Sequence, residues 1–306
     1  MKVAIIGRSE ILYETAIRLH ETGHTITSIL TAKAAPEYSK NELDFQTLAD
    51  KLCVPYKCTS KISTEGIFVR SGNPDIAVSV NFPGIIPSDV IDLFPHGILN
   101  AHGGDLPRYR GNACQAWAIL QGEERIGLCI HKMFGDELDS GDIIEREYLL
   151  INNTTKITEV YSWMQERIPI MMSVSLSKLR DNANYVLEKQ SLDPKDVIRC
   201  YPRNSDDGRI NWRFTAEHIL RLINASNKPY SGAFCFHEEC KVIIWDAKIV
   251  EYPEKICAVP GQIISIGPDC VDVACGDGIL RILEIQVNEE IFQPNSVINS
   301  IRQRFK

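Results

Sequence analysis

The chain has 306 residues, 44% of them hydrophobic and 24% charged, with a net charge of −7. That length suits two ordinary domains or one large one, and the apolar fraction suits a soluble globular core. The acidic balance argues against a tRNA or DNA partner, which needs a basic footprint, and no apolar run is long enough to cross a bilayer.

Residues 2–6 predict a short apolar strand. Ser9 is placed to N-cap a helix whose apolar positions Ile11, Leu12, Ala16 and Leu19 recur at helical spacing, with Gly23 as its stop. Residues 26–30 predict the next strand, so the chain opens as a parallel α/β unit. The turn Gly7-Arg8-Ser9-Glu10 lacks Gly-x-Gly-x-x-Gly, which argues against a nicotinamide cofactor. Arg8 stands beside a helix N-terminus, where it can meet a ligand phosphate or simply be solvated. Residues 31–41 predict a polar loop, 45–52 a helix, 75–80 a central strand and 88–94 a short helix. The loop 81–87 is apolar and bounded by Pro and Gly, which suits either a flat heterocycle held by main-chain groups or a loop tucked on the core.

Residues 98–119 carry the chemistry. A short strand, Ile98-Leu99, delivers Asn100 and His102 to its carboxyl end, on one face of an extended chain. Ligands of open α/β sheets bind at strand carboxyl ends. There an amide can donate a hydrogen bond and an imidazole can accept a proton. A Gly-rich loop, Gly103-Gly104-Asp105-Leu106-Pro107, leads to a helix over 113–120 with Asn112 as N-cap.

Strands over 127–133 and 142–149 flank an acidic loop, 134–140, and 154–182 predicts a long amphipathic helix with a kink or break at Pro169. Residues 188–207 are polar, contain Pro194 and Pro202, and read as a linker. Beyond it come a helix over 215–224 and strands over 234–236, 241–249, 261–266, 270–274 and 280–285, the pattern of a small barrel. The ten Cys are scattered with no Cys-x-x-Cys pair, and no secretory leader is visible, which suits free thiols in a reducing cytoplasm. Cys235, His237 and Cys240 lie in an alternating hairpin, so no metal site is expected there.

Asn100-x-His102, the following Leu106-Pro107-x-Tyr109-Arg110-Gly111 loop, and Leu138-Asp139-Ser140-Gly141-Asp142 together resemble the N10-formyltetrahydrofolate-dependent formyltransferases. Asp207-Gly208-x-Ile210-x-Trp212 and Pro229-Tyr230-Ser231-Gly232-Ala233-Phe234 are similar to the OB-like C-terminal domain of methionyl-tRNA formyltransferase. They are closer still to the formyltransferase half of the bifunctional enzyme that modifies UDP-4-amino-4-deoxyarabinose. The resemblance implies a Rossmann-like, mostly parallel α/β sheet with helices on both faces, plus an OB-like β-barrel. It implies a catalytic domain over 1–187, the linker over 188–207 and the barrel over 208–306.

The resemblance also implies roles. Asn100 would stabilise the oxyanion, His102 would act as base or as protonated polariser, and Asp139 would orient it. N10-formyltetrahydrofolate would be the co-substrate, without a metal. Gly84, Ile85, Ile86, Asn112, Asp136, Glu137, Leu138 and Asp139 would line its site.

One departure is visible: many relatives carry Ser-Leu-Leu-Pro where this chain has Gly104-Asp105-Leu106-Pro107. Asp105 is therefore expected to contact a hydroxyl or the amine of the acceptor. The expected acceptor is a nucleotide-linked amino sugar, such as a dTDP-4-amino-4,6-dideoxyhexose, on the acidic balance and the short, mixed-charge segment 31–44. Methionyl-tRNA is the alternative, and a non-catalytic folate- or nucleotide-binding module the second. Neither a nucleic-acid nor a membrane partner is expected, and relatives acting on sugars point to a homodimer.

Overall fold

The computed structural model describes residues 1–135, 137–191 and 193–306. It divides into two compact units. One comprises Met1–Cys114, Ile126–Leu149 and Tyr161–Cys200; the other comprises Gln115–Arg125, Leu150–Val160 and Tyr201–Lys306.

The chain up to Cys200 runs β1 (Lys2–Gly7), α1 (Glu10–Glu21), β2 (Thr25–Thr31), α2 (Glu42–Leu52), β3 (Tyr56–Cys58), α3 (Gly66–Val69), β4 (Ile76–Val80), α4 (Ser88–Ile91), β5 (Ile98–His102), β6 (Tyr109–Gly111), α5 (Cys114–Gln121), β7 (Arg125–Lys132), β8 (Ile143–Leu150), α6 (Ile157–Asp181) and β9 (Ile198–Cys200). The main sheet has the order β3-β2-β1-β4-β5-β7-β8. Its first five strands are parallel and β7 is antiparallel to β5.

The central strands are apolar at successive positions because both faces are covered. Ala4, Ile6, Ala77 and Ile98 pack with Val69 of α3 and with Val90 and Ile91 of α4. The alternate residues Ile5, Val78 and Leu99 are equally buried, and helices lie on both sides of the sheet. Strand order reverses between β1 and β4, a topological switch point. There Gly7 has φ 138° and no room for a Cβ, which would strike the Val80 carbonyl.

Three local expectations need correcting. Ser9 precedes α1 but makes no side-chain cap bond; its φ is 90°, and its hydroxyl instead accepts from Asn81 Nδ2 at 3.3 Å. Asn112 is not the N-cap of α5. The helix starts at Cys114 after Ala113 at φ 53°, and the Asn112 amide donates to the Cys200 carbonyl at 3.1 Å. Pro169 does not break α6, which is one 25-residue helix, anchored on either side of Pro169 by buried Ile168, Met171 and Met172. The polar segment 188–207 also carries β9, which pairs in parallel with β6. Backbone pairing of that kind needs no apolar pattern, so neither short strand was legible.

The second unit carries α7 (Ala216–Ala225), β10 (Ala233–His237), β11 (Cys240–Val250), β12 (Ile263–Ile266), β13 (Val271–Ala274), β14 (Ile279–Val287), β15 (Glu290–Phe292) and α8 (Pro294–Val297). Thr215 caps α7, its hydroxyl accepting from His218 N at 3.1 Å. The antiparallel sheet runs β10-β11-β14-β13-β12. The C-terminal residues join its two edges: Arg304 bridges Gln262 and Phe305 bridges His237. Trp212 stacks on Phe305 at 5.5 Å and both belong to the barrel core with Ile244, Val273 and Ile282. Buried Asp272 is neutralised by two Arg281 bonds of 2.7 Å and also accepts from the Tyr252 hydroxyl at 2.5 Å. Among the described residues, no helix is long and apolar enough to cross a membrane.

Candidate active site

Asn100 and His102 occupy alternate positions of β5, so both side chains leave the same face. The antiparallel register sets His131 of β7 directly beside Asn100. The chain then loops out and returns through Asp139, Ser140 and Gly141. Asp139 sits in the left-handed region at φ 51°. A Cβ on Gly141 would strike the Lys132 carbonyl, so only glycine lets this return pass so close to β7.

These elements bring four side chains into one cluster. Asn100 Nδ2 lies 3.2 Å from His131 Nε2. His131 Nε2 is 3.5 Å from one carboxylate oxygen of Asp139, and His102 Nδ1 is 3.4 Å from the other. Asp139 also accepts from the Gly111 amide at 3.1 Å. His102 Nε2 is 2.8 Å from the Tyr109 carbonyl and His131 Nδ1 is 2.9 Å from the Lys132 carbonyl. A carbonyl can only accept, so each of these nitrogens carries the hydrogen. Each ring therefore turns its second nitrogen toward the same carboxylate.

Burial acts on the charge state of His102, which is 6% exposed. Desolvation holds the His102 pKa below its ordinary value, outweighing the pull of the Asp139 charge. For Asp139, burial pushes upward, but His102, His131 and the Gly111 amide together hold the carboxyl far below the usual range. The site at neutral pH is thus a neutral His102 beside an ionised Asp139. A proton entering between His102 Nδ1 and Asp139 would be held by both, because it replaces a contact between two lone pairs.

The surroundings are built to fix this cluster. An ideal Cβ on Gly104 would come within 2.5 Å of His102 Nε2 and closer still to the Tyr109 carbonyl. Gln190, 7% exposed, donates both amide hydrogens, to the Asp139 and Gly141 carbonyls at 2.8 and 2.7 Å, and accepts from Arg110 at 2.9 Å. It therefore pins the turn that presents Asp139.

Neither His131 nor Gln190 was singled out from sequence. An imidazole directly after the apolar run 126–130 was the available signal for His131. Gln190, in a polar segment, offered none.

The remaining expected site residues are placed as follows. Gly84 and Ile85 are exposed, while Ile86, 1% exposed, anchors the loop in the core with Val90 and Phe94. Among the described residues, 84–86 make no backbone–backbone hydrogen bond of the loop class. Glu137 is exposed and bridges Phe134, Leu138 is half-buried, and Asn112 is exposed beside Cys200; Asp136 lies outside the described residues. Arg8 is held by the Asn81 and Lys33 carbonyls, each at 3.1 Å, and lies over the Tyr38 ring at 5.5 Å. Asp105 is bound by the Arg146 guanidinium and by the Tyr148 hydroxyl at 3.1 Å. A metal-holding group of three or more His, Cys, Asp or Glu does not occur among the described residues.

An amide donor and a proton-accepting imidazole–carboxylate pair at the rim of an α/β sheet suit the transfer of a carbonyl group between two bound molecules. The chain belongs to the formyl transferase family: the formyl transferase model matches residues 1–175 and the formyl transferase C-terminal domain model matches residues 203–302.

Methionyl-tRNA formyltransferase of Ruminiclostridium cellulolyticum is 28% identical over 296 residues, covering 94% of this chain and 92% of that protein. The N-formyltransferase from Helicobacter canadensis, solved with folinic acid and dTDP-3-aminofucose, has a TM-score of 0.70 at 16% identity, covering 94% of this chain and 99% of that one. HypX from Aquifex aeolicus in complex with tetrahydrofolic acid has a TM-score of 0.65 at 16% identity over 98% of this chain; the chain spans 47% of HypX, about half its length.

Proposed function

We propose that the protein transfers the formyl group of N10-formyltetrahydrofolate to a primary amine. The observation that carries this reading is the single cluster made by Asn100, His102 and Asp139 at the carboxyl end of β5. The amine nitrogen attacks the formyl carbon, and charge builds on the formyl oxygen. An Asn100 N–H donates to that oxygen; a donor of this kind is worth roughly 10²–10³ in rate. The amine proton passes to the His102–Asp139 pair. The bond from the formyl carbon to N10 then breaks and the pair returns the proton to N10. The exposed residues Gly84 and Ile85 support a pterin edge held by groups of this loop.

Two acceptors have support. Methionyl-tRNA is favoured by the sequence relatives, which match along 94% of this chain. It is supported also by a groove of about 700 Å³ in the second unit, lined by Arg209, Arg213, Arg304 and Lys306, a local basic surface of the kind a polyanion needs. This puts methionyl-tRNA ahead of the amino sugar expected from charge. The nucleotide-linked amino sugar stays as the second reading, on the acidic net charge and on the amino-sugar ligand in the Helicobacter canadensis structure.

The experiment is to incubate purified protein with N10-formyltetrahydrofolate and either methionyl-tRNA or a panel of dTDP-, UDP- and GDP-linked amino sugars. Formylation is read by mass. Product with tRNA alone supports the first acceptor and product with a sugar alone supports the second. Formate release with neither would overturn transfer in favour of hydrolysis.

A further inference from the structure

We propose that His131 is a positioning residue for formyl transfer: it dictates which end of the Asn100 amide faces its ring, and so keeps an N–H of that amide available to the formyl oxygen. This rests on the reading of Asn100 as the oxyanion donor.

The argument starts from the buried strand β7. His131 is fixed there opposite Asn100. Its Nδ1 lies 2.9 Å from the Lys132 carbonyl, so Nδ1 carries the hydrogen. A neutral ring then has a bare Nε2, which can only accept. That nitrogen lies 3.2 Å from Asn100 Nδ2 and takes one of the two amide hydrogens. The other hydrogen remains for a ligand. Turning the amide over would set its oxygen lone pairs against the bare nitrogen. The Lys132 carbonyl thus fixes the tautomer, the tautomer fixes the amide, and the amide presents its donor.

Protonation reverses this order. With a hydrogen on Nε2 the ring becomes a donor, and Asp139, 3.5 Å away, is the acceptor in reach. Asn100 Nδ2 then loses its acceptor and the amide is driven to turn its oxygen inward. The groups facing His131 are Asn100 from β5, Asp139 from the loop after β7, and the His102 ring, edge-on at 6.2 Å. The transfer-competent state is therefore the one with His131 neutral.

The test compares His131→Gln with His131→Leu in the full chain, measuring kcat and KM for the formyl donor. Gln reaches the Nε2 position with an acceptor oxygen that does not titrate; Leu fills similar space without an acceptor. His131→Leu is expected to lose about 10²-fold in kcat, as when an oxyanion donor is misplaced, with KM changed less than about threefold. His131→Gln is expected to recover most of that kcat.

Equal losses in both variants would mean a packing role and overturn the proposal. If His131→Leu fails to fold, ¹⁵N NMR of the wild-type rings decides instead. A neutral His131 protonated on Nδ1 supports the proposal, and one protonated on Nε2 refutes it. Asn100→Ala separates the two readings: full activity there would remove Asn100 as donor, whatever His131 does.

Discussion

Gly104→Ala isolates the close packing behind His102. Gly104 is outside the left-handed region, so alanine brings no backbone penalty, and its methyl is the whole perturbation. That methyl would stand 2.5 Å from His102 Nε2 and 3.0 Å from Cδ2, and nearer still to the Tyr109 carbonyl. Clearing 3.0 Å at Nε2 alone needs about 0.5 Å of movement, and the carbonyl side needs more. The ring and the 103–109 loop must part, which breaks the 2.8 Å bond from His102 to Tyr109 and carries Nδ1 away from Asp139. A misplacement approaching 1 Å at a reacting group costs on the order of 10²-fold. Overpacking a buried site costs about 1–3 kcal/mol. Single-turnover formyl transfer should therefore fall about 10²-fold in Gly104→Ala, with urea unfolding reporting the smaller stability loss. A variant that folds and transfers within twofold of wild type would refute the account of Gly104 as the spacer behind His102.

Gln190→Leu should leave the Asp139 and Gly141 carbonyls without their donor, at a cost of about 1–3 kcal/mol. It should lower kcat more than KM; an unchanged kcat in a folded variant would show that the Asp139 turn holds itself. Burial depresses the His102 pKa, so the folded chain resists a proton that the unfolded chain takes up as pH falls below about 6.5. Stability should accordingly be full above that pH and decline as pH falls toward the depressed value, less so in His102→Gln; identical urea midpoints against pH in the two proteins would exclude this. The kcat/KM profile should keep its acid limb below pH 6.5 for the same reason. Arg281→Met should strand the Asp272 carboxylate in the barrel, destabilising the second unit by about 3 kcal/mol, the low end for a broken buried pair because the arginine is partly exposed. A melting temperature equal to wild type would count against that.

The parts of this fold that were legible in the sequence are those where a residue's own pattern decides its place. Strands β1 and β4 are apolar at most consecutive positions because both faces are covered, and α7 has an apolar face. Asn100 and His102 were legible as a pair because strand alternation alone puts them on one face. What was not legible depends on partners distant in sequence. His131 enters the site through the β5–β7 register, and Gln190 through contacts with residues 49 and 51 positions away. Ser9 and Asn112 had the composition of N-caps, yet positive φ at Ser9 and at Ala113 redirected both helix starts. Asp105 looked like a free carboxylate at the mouth of the loop; Arg146 and Tyr148 come from β8 to bind it.

Charge shows the same division between local and distant causes. The net value of −7 sums the chain and takes no account of position. Several of the acids are committed locally: Glu42 accepts from the Ala34 amide, Asp44 from the Asn41 amide in a capping box, and Asp272 from Arg281. Four cations meanwhile gather around one groove of the second unit. A polyanion responds to the potential within about 8–10 Å of where it lands, not to the chain's sum. An acidic chain can therefore present a basic binding surface, and net charge weighs against a nucleic-acid acceptor far less than it does in the bare sequence.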